Sequence, residues 1–158
     1  MRCPTAHLVV EYRLNAMAHS RSRVLIHVVW STWRRTPWID RSLEVAIRDA
    51  VAAQAERTRC PLLAFGAFVD HVHVALDLHR TQSLAVLLRA LKGASGHVAA
   101  HERPEIAFRW QEGYGAFSIS ERDPEEALAY VRAQRERHAA NAVLAGWEPD
   151  EFDAGEDG

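Results

Sequence analysis

Cysteine is scarce in this sequence. Cys3 and Cys60 are the two in 158 residues, and their separation has none of the spacing of a metal-binding cysteine motif. The opening stretch "MRCPTAHLVVEYRLNAMAHS" lacks the charged-then-apolar order of an export signal, breaking after two valines. Two free thiols and no export pattern point to a reducing cytoplasm. Long apolar runs are missing as well. A stretch such as "PLLAFGAFV" (61–69) is far short of the roughly 18–20 residues a membrane span needs. Repeats and low-complexity linkers are absent, and neither sign of charge dominates, the net charge being −2. What remains, 48% apolar and 25% charged residues, is the composition of one soluble domain with a single core.

The charge is unevenly distributed. Residues 148–158 carry Glu148, Asp150, Glu151, Asp153, Glu156 and Asp157 with no base, which leaves 19 bases against 15 acids, a net +4, in residues 1–147. The expectation is a mildly basic body that can meet a phosphate backbone locally, followed by a solvated acidic tail.

Along the chain, residues 1–20 show no useful period and read as a poorly structured extension. "RVLIHVVWSTW" (23–33) is a β-branched strand. Asp40 is a good cap for a helix reaching Arg57, with Ala46, Ile47, Ala50, Val51 and Ala55 at helical spacing. "CPLLAFGAFV" (60–69) and "DHVHVALDL" (70–78) are two further strands. Leu84, Leu87, Leu88 and Leu91 give one apolar face to a helix over 81–102, weakened in its middle by Gly93 and Gly96. An aromatic loop (103–115) leads to a short strand, "AFSIS" (116–120). Residues 123–141 read as a helix capped by Asp123, with Pro124 in its first turn and bases towards its end. The order β-α-β-β-α-β-α predicts an α+β fold of ferredoxin-like (RRM-like) type, an antiparallel four-stranded sheet with two helices on one face, plus a C-terminal helix. The domain should span 21–142, with 143–158 as the acidic tail.

Strand alternation places Val72, Val74, Leu76 and Leu78 towards the helix-covered core, and His71, His73, Ala75 and Asp77 on the opposite face. The two imidazoles then stand about 6–7 Å apart along the strand, close enough to converge on one cation. The plainer reading is ordinary polar alternation. On the last helix Tyr130 and Gln134 share a face, and His138 continues the stripe. Packed on the open sheet face, that helix would bring a phenol and an amide oxygen to the histidines. Two imidazoles and an amide carbonyl suit Mg²⁺ or Mn²⁺ with room for phosphate oxygens, and a phenol beside a bound phosphate is placed for nucleophilic attack. Equally, Tyr130 could merely fill the seam between helix and sheet.

Five segments, "IHVVWSTWRRTPWID", "DHVHVALDL", "SLAVLLRALKGASG", "RWQEGYGAFSIS" and "YVRAQRERH", follow one another over about residues 23–138. In this order they resemble one family, the single-tyrosine HUH transposases of the smallest bacterial insertion sequences and their REP-associated relatives. The resemblance implies that His71, His73 and Gln134 hold the metal. It implies that Tyr130 attacks single-stranded, hairpin-bearing DNA, keeping the 5′ phosphate as a phosphotyrosine and freeing a 3′ hydroxyl for later rejoining. It also implies a homodimer.

Arg34, Arg35, Lys92 and Arg109 are candidates for phosphate contact, and Trp110 and Tyr114 for stacking on unpaired bases. His27 reads first as a strand-face residue. Two departures stand out: Arg137-His138 replaces a histidine pair usual in close relatives, and the C-terminus is short and acidic. A catalytically inactive or domesticated hairpin-binding protein is therefore the alternative. An unrelated RNA-binding module would need aromatic residues where the third strand shows His71, His73, Ala75 and Asp77. A cyclic-phosphodiesterase-like fold would need a second His-x-Ser/Thr motif, which the sequence lacks.

Overall fold

The computed structural model describes residues 21–149. The expected N-terminal extension (1–20) and the tail from 150 onward lie outside the described residues. Four strands, β1 (Leu25–Ser31), β2 (Leu62–Ala67), β3 (His71–Asp77) and β4 (Gly115–Ser118), form one antiparallel sheet in the order β2-β3-β1-β4. Helices α1 (Arg41–Arg57) and α2 (Leu84–Glu102) pack against each other on one face. This is the ferredoxin-like α+β architecture the element order predicts.

The helix-covered core follows from the alternation. Ile26, Val28 and Trp30 of β1 and Val72, Val74 and Leu76 of β3 meet Leu43, Ile47 and Val51 of α1 and Leu87, Leu88 and Leu91 of α2. Each fully buried aliphatic side chain contributes roughly 1.5–3 kcal/mol relative to exposure. Asp40 caps α1 as expected, accepting from the Leu43 backbone N–H at 2.8 Å. Gly96 does not interrupt α2. It lets Trp110 approach, since a Cβ there would lie 3.2 Å from the indole Cδ1, and the indole N–H donates to Ser95 Oγ at 3.2 Å.

The second sheet face is where the site forms. The expected single helix over 123–141 is two: α3 (Glu125–Arg132) and α4 (Gln134–Ala139), meeting at Ala133, whose φ/ψ of −97°/28° leaves the α-helical basin. Asp123 does not cap; Pro124 holds the N-cap position without a side-chain bond. Ala127, Leu128 and Val131 of α3 pack on Leu25, Ala64, Ala75 and Ile119. Gly66 of β2 makes this contact possible: a Cβ built on it would lie 1.7 Å from the Val131 carbonyl oxygen. The face that alternation left open is thus covered, and His27, His71 and His73 on it are wholly buried.

Candidate active site

Burying three imidazoles is costly unless each polar atom finds a partner. Their rings form a connected set. His27 stacks on His73, with centroids 5.0 Å apart and 13° between planes, and His27 Nε2 lies 2.8 Å from His73 Nδ1. His71 Nδ1 lies 2.7 Å from Asp70 Oδ1, and the other oxygen of Asp70 accepts from Arg35 Nε at 2.9 Å. A carboxylate only accepts, so Nδ1 of His71 carries the proton and Nε2 faces inward. His138 of α4 brings its Nε2 to 3.2 Å from His71 Nε2, with its ring stacked on Phe68 at 4.0 Å and 5°.

Glu148 is the residue that the sequence reading misplaced. Expected in a solvated tail, it is 5% exposed and sits among the histidines. Its Oε2 lies 3.2 Å from His71 Nε2 and 3.3 Å from His138 Nε2, and its Oε1 lies 3.6 Å from His73 Nε2. The Tyr130 hydroxyl donates to Oε1 at 2.5 Å and accepts from the Leu144 N–H at 3.0 Å. Trp147 packs on both Tyr130 and His27, at 5.1 and 4.8 Å between centroids. An acid-rich composition shows no such burial; the apolar Leu144 and Trp147 just before it were the available signal.

The electrostatics follow from these contacts. Burial pushes His73 down to about 4 and His27 to about 3; His71 adds to the first shift and His73 to the second, while Glu148 opposes both. Burial lowers His138 too, aided by His71. His71 goes the other way: burial disfavours its charge, but Asp70 and Glu148 outweigh that and raise it. Burial would raise Glu148, yet the close approach of His71 and His73 and the bond from Tyr130 hold it far below the usual carboxylate range. The Tyr130 phenol is pushed up to about 12, first by burial and then by the Glu148 carboxylate.

Gln134 is buried, its amide nitrogen donating to the Tyr130 carbonyl at 2.9 Å. Among the described residues, its Oε1 and His73 Nε2 are both buried without a hydrogen-bond partner. Arg137 lies 4.7 Å over the Tyr130 ring, and a cleft of about 350 Å³ opens beside the phenol between Ser118, Glu126, Leu144 and Trp147. The structure therefore gathers His71, His73, Tyr130 and Gln134 in one chain, and adds His27, His138 and Glu148.

The candidate DNA contacts divide. Arg109 stacks its guanidinium 3.8 Å over Trp33, Arg34 lies over the same ring at 5.5 Å, and both side chains belong to exposed residues. This cluster follows directly on Ser31, the β1 residue paired with His71. Arg35 is tied to Asp70. Lys92 Nζ donates to the carbonyls of Gln111, Glu112 and Gly113 at 2.5, 2.9 and 3.0 Å, closing that loop. Trp110 packs edge-on to Trp30 and Phe108 at the core margin. Tyr114 is exposed, beside a second cleft with Arg89 and Lys92.

Compared with known proteins, the chain matches the family described as "Transposase IS200 like" over residues 20–134. No curated protein sequence matches it. Two solved structures are similar in fold. One is the crystal structure of a Deinococcus radiodurans R1 protein named as a candidate transposase, with a TM-score of 0.60 and 21% identity over 81% of this chain and 99% of the other. The second is a REP-associated tyrosine transposase bound to a REP hairpin, with a TM-score of 0.57 and 14% identity over 79% of this chain and 74% of that one.

Proposed function

This chain belongs to the IS200-like transposase family, and from that premise we propose that it cleaves and rejoins single-stranded, hairpin-bearing DNA through a 5′-phosphotyrosine on Tyr130. The observation that carries the reading is the shared carboxylate. Tyr130 Oη and the inward nitrogens of His71 and His73 all border Glu148 within one chain. A phenol, an imidazole cluster and a cleft are therefore brought to one place by residues of four elements.

In the reaction, Tyr130 Oη bonds to phosphorus as the bond from phosphorus to the 3′ oxygen breaks, and the departing oxygen takes up a proton to leave a 3′ hydroxyl. The Tyr130 proton already points at Glu148 Oε1, which is placed to receive it. The reverse reaction, with a new 3′ hydroxyl, rejoins the strands without an external energy source. Arg137, stacked over the phenol ring, favours the negative charge that develops on Oη.

The residues fit a divalent cation, Mg²⁺ or Mn²⁺. His73 Nε2 and Gln134 Oε1 are buried polar atoms without a hydrogen-bond partner among the described residues, and Nδ1 of each strand histidine is held by a second residue, as in metal sites where an outer partner orients the ring. His71, His73 and Gln134 would hold the ion, and when bound it would polarise the scissile phosphate. Arg34, Arg109 and the exposed Tyr114 are the side chains offered to the DNA in this reading. The family resemblance implies a homodimer, and the arrangement of Tyr130 supports a site completed within each chain.

The non-catalytic hairpin binder has one observation in its favour: the phenol is pushed up to about 12 and held by Glu148 and Leu144. Incubation with single-stranded hairpin DNA and Mn²⁺, followed by denaturing electrophoresis and peptide mapping, decides between the two. An adduct on Tyr130 supports the transposase. Tight hairpin binding without any adduct supports the binder, and an adduct on Tyr114 overturns the assignment of the nucleophile.

A further inference from the structure

We propose that His138 and Glu148 are ligands of the same cation as His71, so that the centre is a two-histidine, one-carboxylate set with His73 beside it, selective for transition metals over Mg²⁺. The proposal rests on the metal reading above and changes its ligand set: one imidazole and one carboxylate come from the C-terminal segment.

Three atoms carry it. His71 Nε2, His138 Nε2 and Glu148 Oε2 form a nearly equilateral triangle with sides of 3.2, 3.2 and 3.3 Å. Ligands about 2.1 Å from one ion, on a tetrahedron or an octahedron, stand roughly 3.0–3.4 Å apart. Hydrogen bonding alone accounts poorly for this arrangement. Asp70 takes the Nδ1 proton of His71, so His71 can donate to this carboxylate only as an imidazolium and otherwise turns a lone pair towards it, while His138 brings its own Nε2 to the same oxygen and to 3.2 Å from His71 Nε2. Among the described residues, the ion-pair partners of Glu148 are all histidines, with no lysine or arginine. A carboxylate 5% exposed needs positive charge nearby, and a cation inside the triangle satisfies all three groups at once.

Each ligand is also held from behind, as metal ligands are. Asp70, itself bonded to Arg35, fixes His71. Phe68 stacks on His138. Tyr130 occupies the other oxygen of Glu148, so that carboxylate is offered through one oxygen only. With His138 and Glu148 in place of His73 and Gln134 the centre keeps two imidazoles and gains a carboxylate, the two-histidine–carboxylate face typical of Fe²⁺, whose nitrogen donors favour a transition metal over Mg²⁺. The same carboxylate would join the ion to Tyr130.

The test is titration of Co²⁺, Mn²⁺ and Mg²⁺ into the metal-stripped full chain, read by calorimetry and by the visible absorption of bound Co²⁺. The parent, Glu148→Gln, His138→Gln and His71→Ala are compared. Expected are Mn²⁺ and Co²⁺ binding well above Mg²⁺ in the parent, at least a tenfold loss of affinity in Glu148→Gln and His138→Gln, and a changed cobalt spectrum in each. Parental affinity and spectrum in both variants, with loss only in His71→Ala, would overturn the proposal and leave the metal on the strand histidines. No binding by the parent would overturn both. Should Glu148→Gln fail to fold, His138→Gln decides by itself, because its side chain is 18% exposed and lies at the margin of the site.

Discussion

Gly66→Ala adds one methyl group to β2, and two physical effects predict opposite signs for it. Gly66 has no positive φ, so alanine suits its backbone. Removing glycine from a strand should by itself stabilise by roughly 0.5–1 kcal/mol through the unfolded chain. Against this stands the close approach of α3. The new Cβ would lie 1.7 Å from the Val131 carbonyl oxygen, 2.9 Å from its carbon and 3.1 Å from Gln134 Cγ. Ordinary contact needs about 3.2 Å or more, so the overlap is about 1.5 Å. The obstacle is helix backbone, so the helix has to move. Overpacking against backbone costs about 1–3 kcal/mol, and with an overlap of about 1.5 Å the upper part of that range applies, leaving about 1–2.5 kcal/mol after the entropic gain. Thermal melting should therefore fall by roughly 2–10 °C in a chain of this size. Moving α3 by about 1 Å also carries Tyr130 away from Glu148, and such misplacement can cost on the order of 100-fold in rate, read as slower adduct formation on hairpin DNA. Gly93→Ala is the control: beyond its own helix, none of the described residues lies within 4 Å of its Cβ position, and it should raise the melting temperature slightly. A Gly66→Ala protein that melts at or above the parent would refute the close-approach account.

Tyr130→Phe should abolish the covalent adduct and lower stability by only about 1–2 kcal/mol, since it removes the bonds to Glu148 and Leu144 and keeps the packed ring; undiminished adduct formation would show that Tyr130 is not the nucleophile. Mixing Tyr130→Phe with His71→Ala chains should not restore cleavage, because phenol and histidines meet within one chain, and recovery of activity would demonstrate exchange of the tyrosine helix. For the metal-free protein, His73 and His27, lowered to about 4 and about 3, are neutral when folded and protonated when unfolded between those values and about 6.5. Stability should therefore fall as pH drops through that window, by roughly 3 kcal/mol from His73. The depressed Glu148 adds to the loss below about pH 4.5, while the raised His71 contributes stability that is lost as pH rises instead. A melting temperature that stays level from pH 6.5 to pH 4 would contradict the burial of these imidazoles. Lys92→Met should destabilise by about 1 kcal/mol through the three carbonyls it leaves, yet leave the salt slope of DNA binding unchanged; a slope reduced by about one would restore Lys92 to the phosphate contacts.

Local pattern was enough for the scaffold and for half of the site. Period-two alternation in "DHVHVALDL" put His71 and His73 together away from Val72, Val74 and Leu76, because pleating leaves a strand residue no other choice. Four-residue spacing put Gln134 below Tyr130, and the bond from the Gln134 amide to the Tyr130 carbonyl survives the break at Ala133. The order of strands and helices was enough for the sheet. Tertiary structure alone decided what the remaining charges do. Lys92 and Glu148 look like solvated ions in any composition count, because the partners that engage them lie 10–77 residues away in sequence. His27 looked like one strand residue among others until register set β1 against β3 and brought its ring onto His73. Gly66 carried no signal at all, since its significance depends on the Val131 carbonyl above it. Sequence periodicity reports which way a residue points; only the packed chain reports what it meets there.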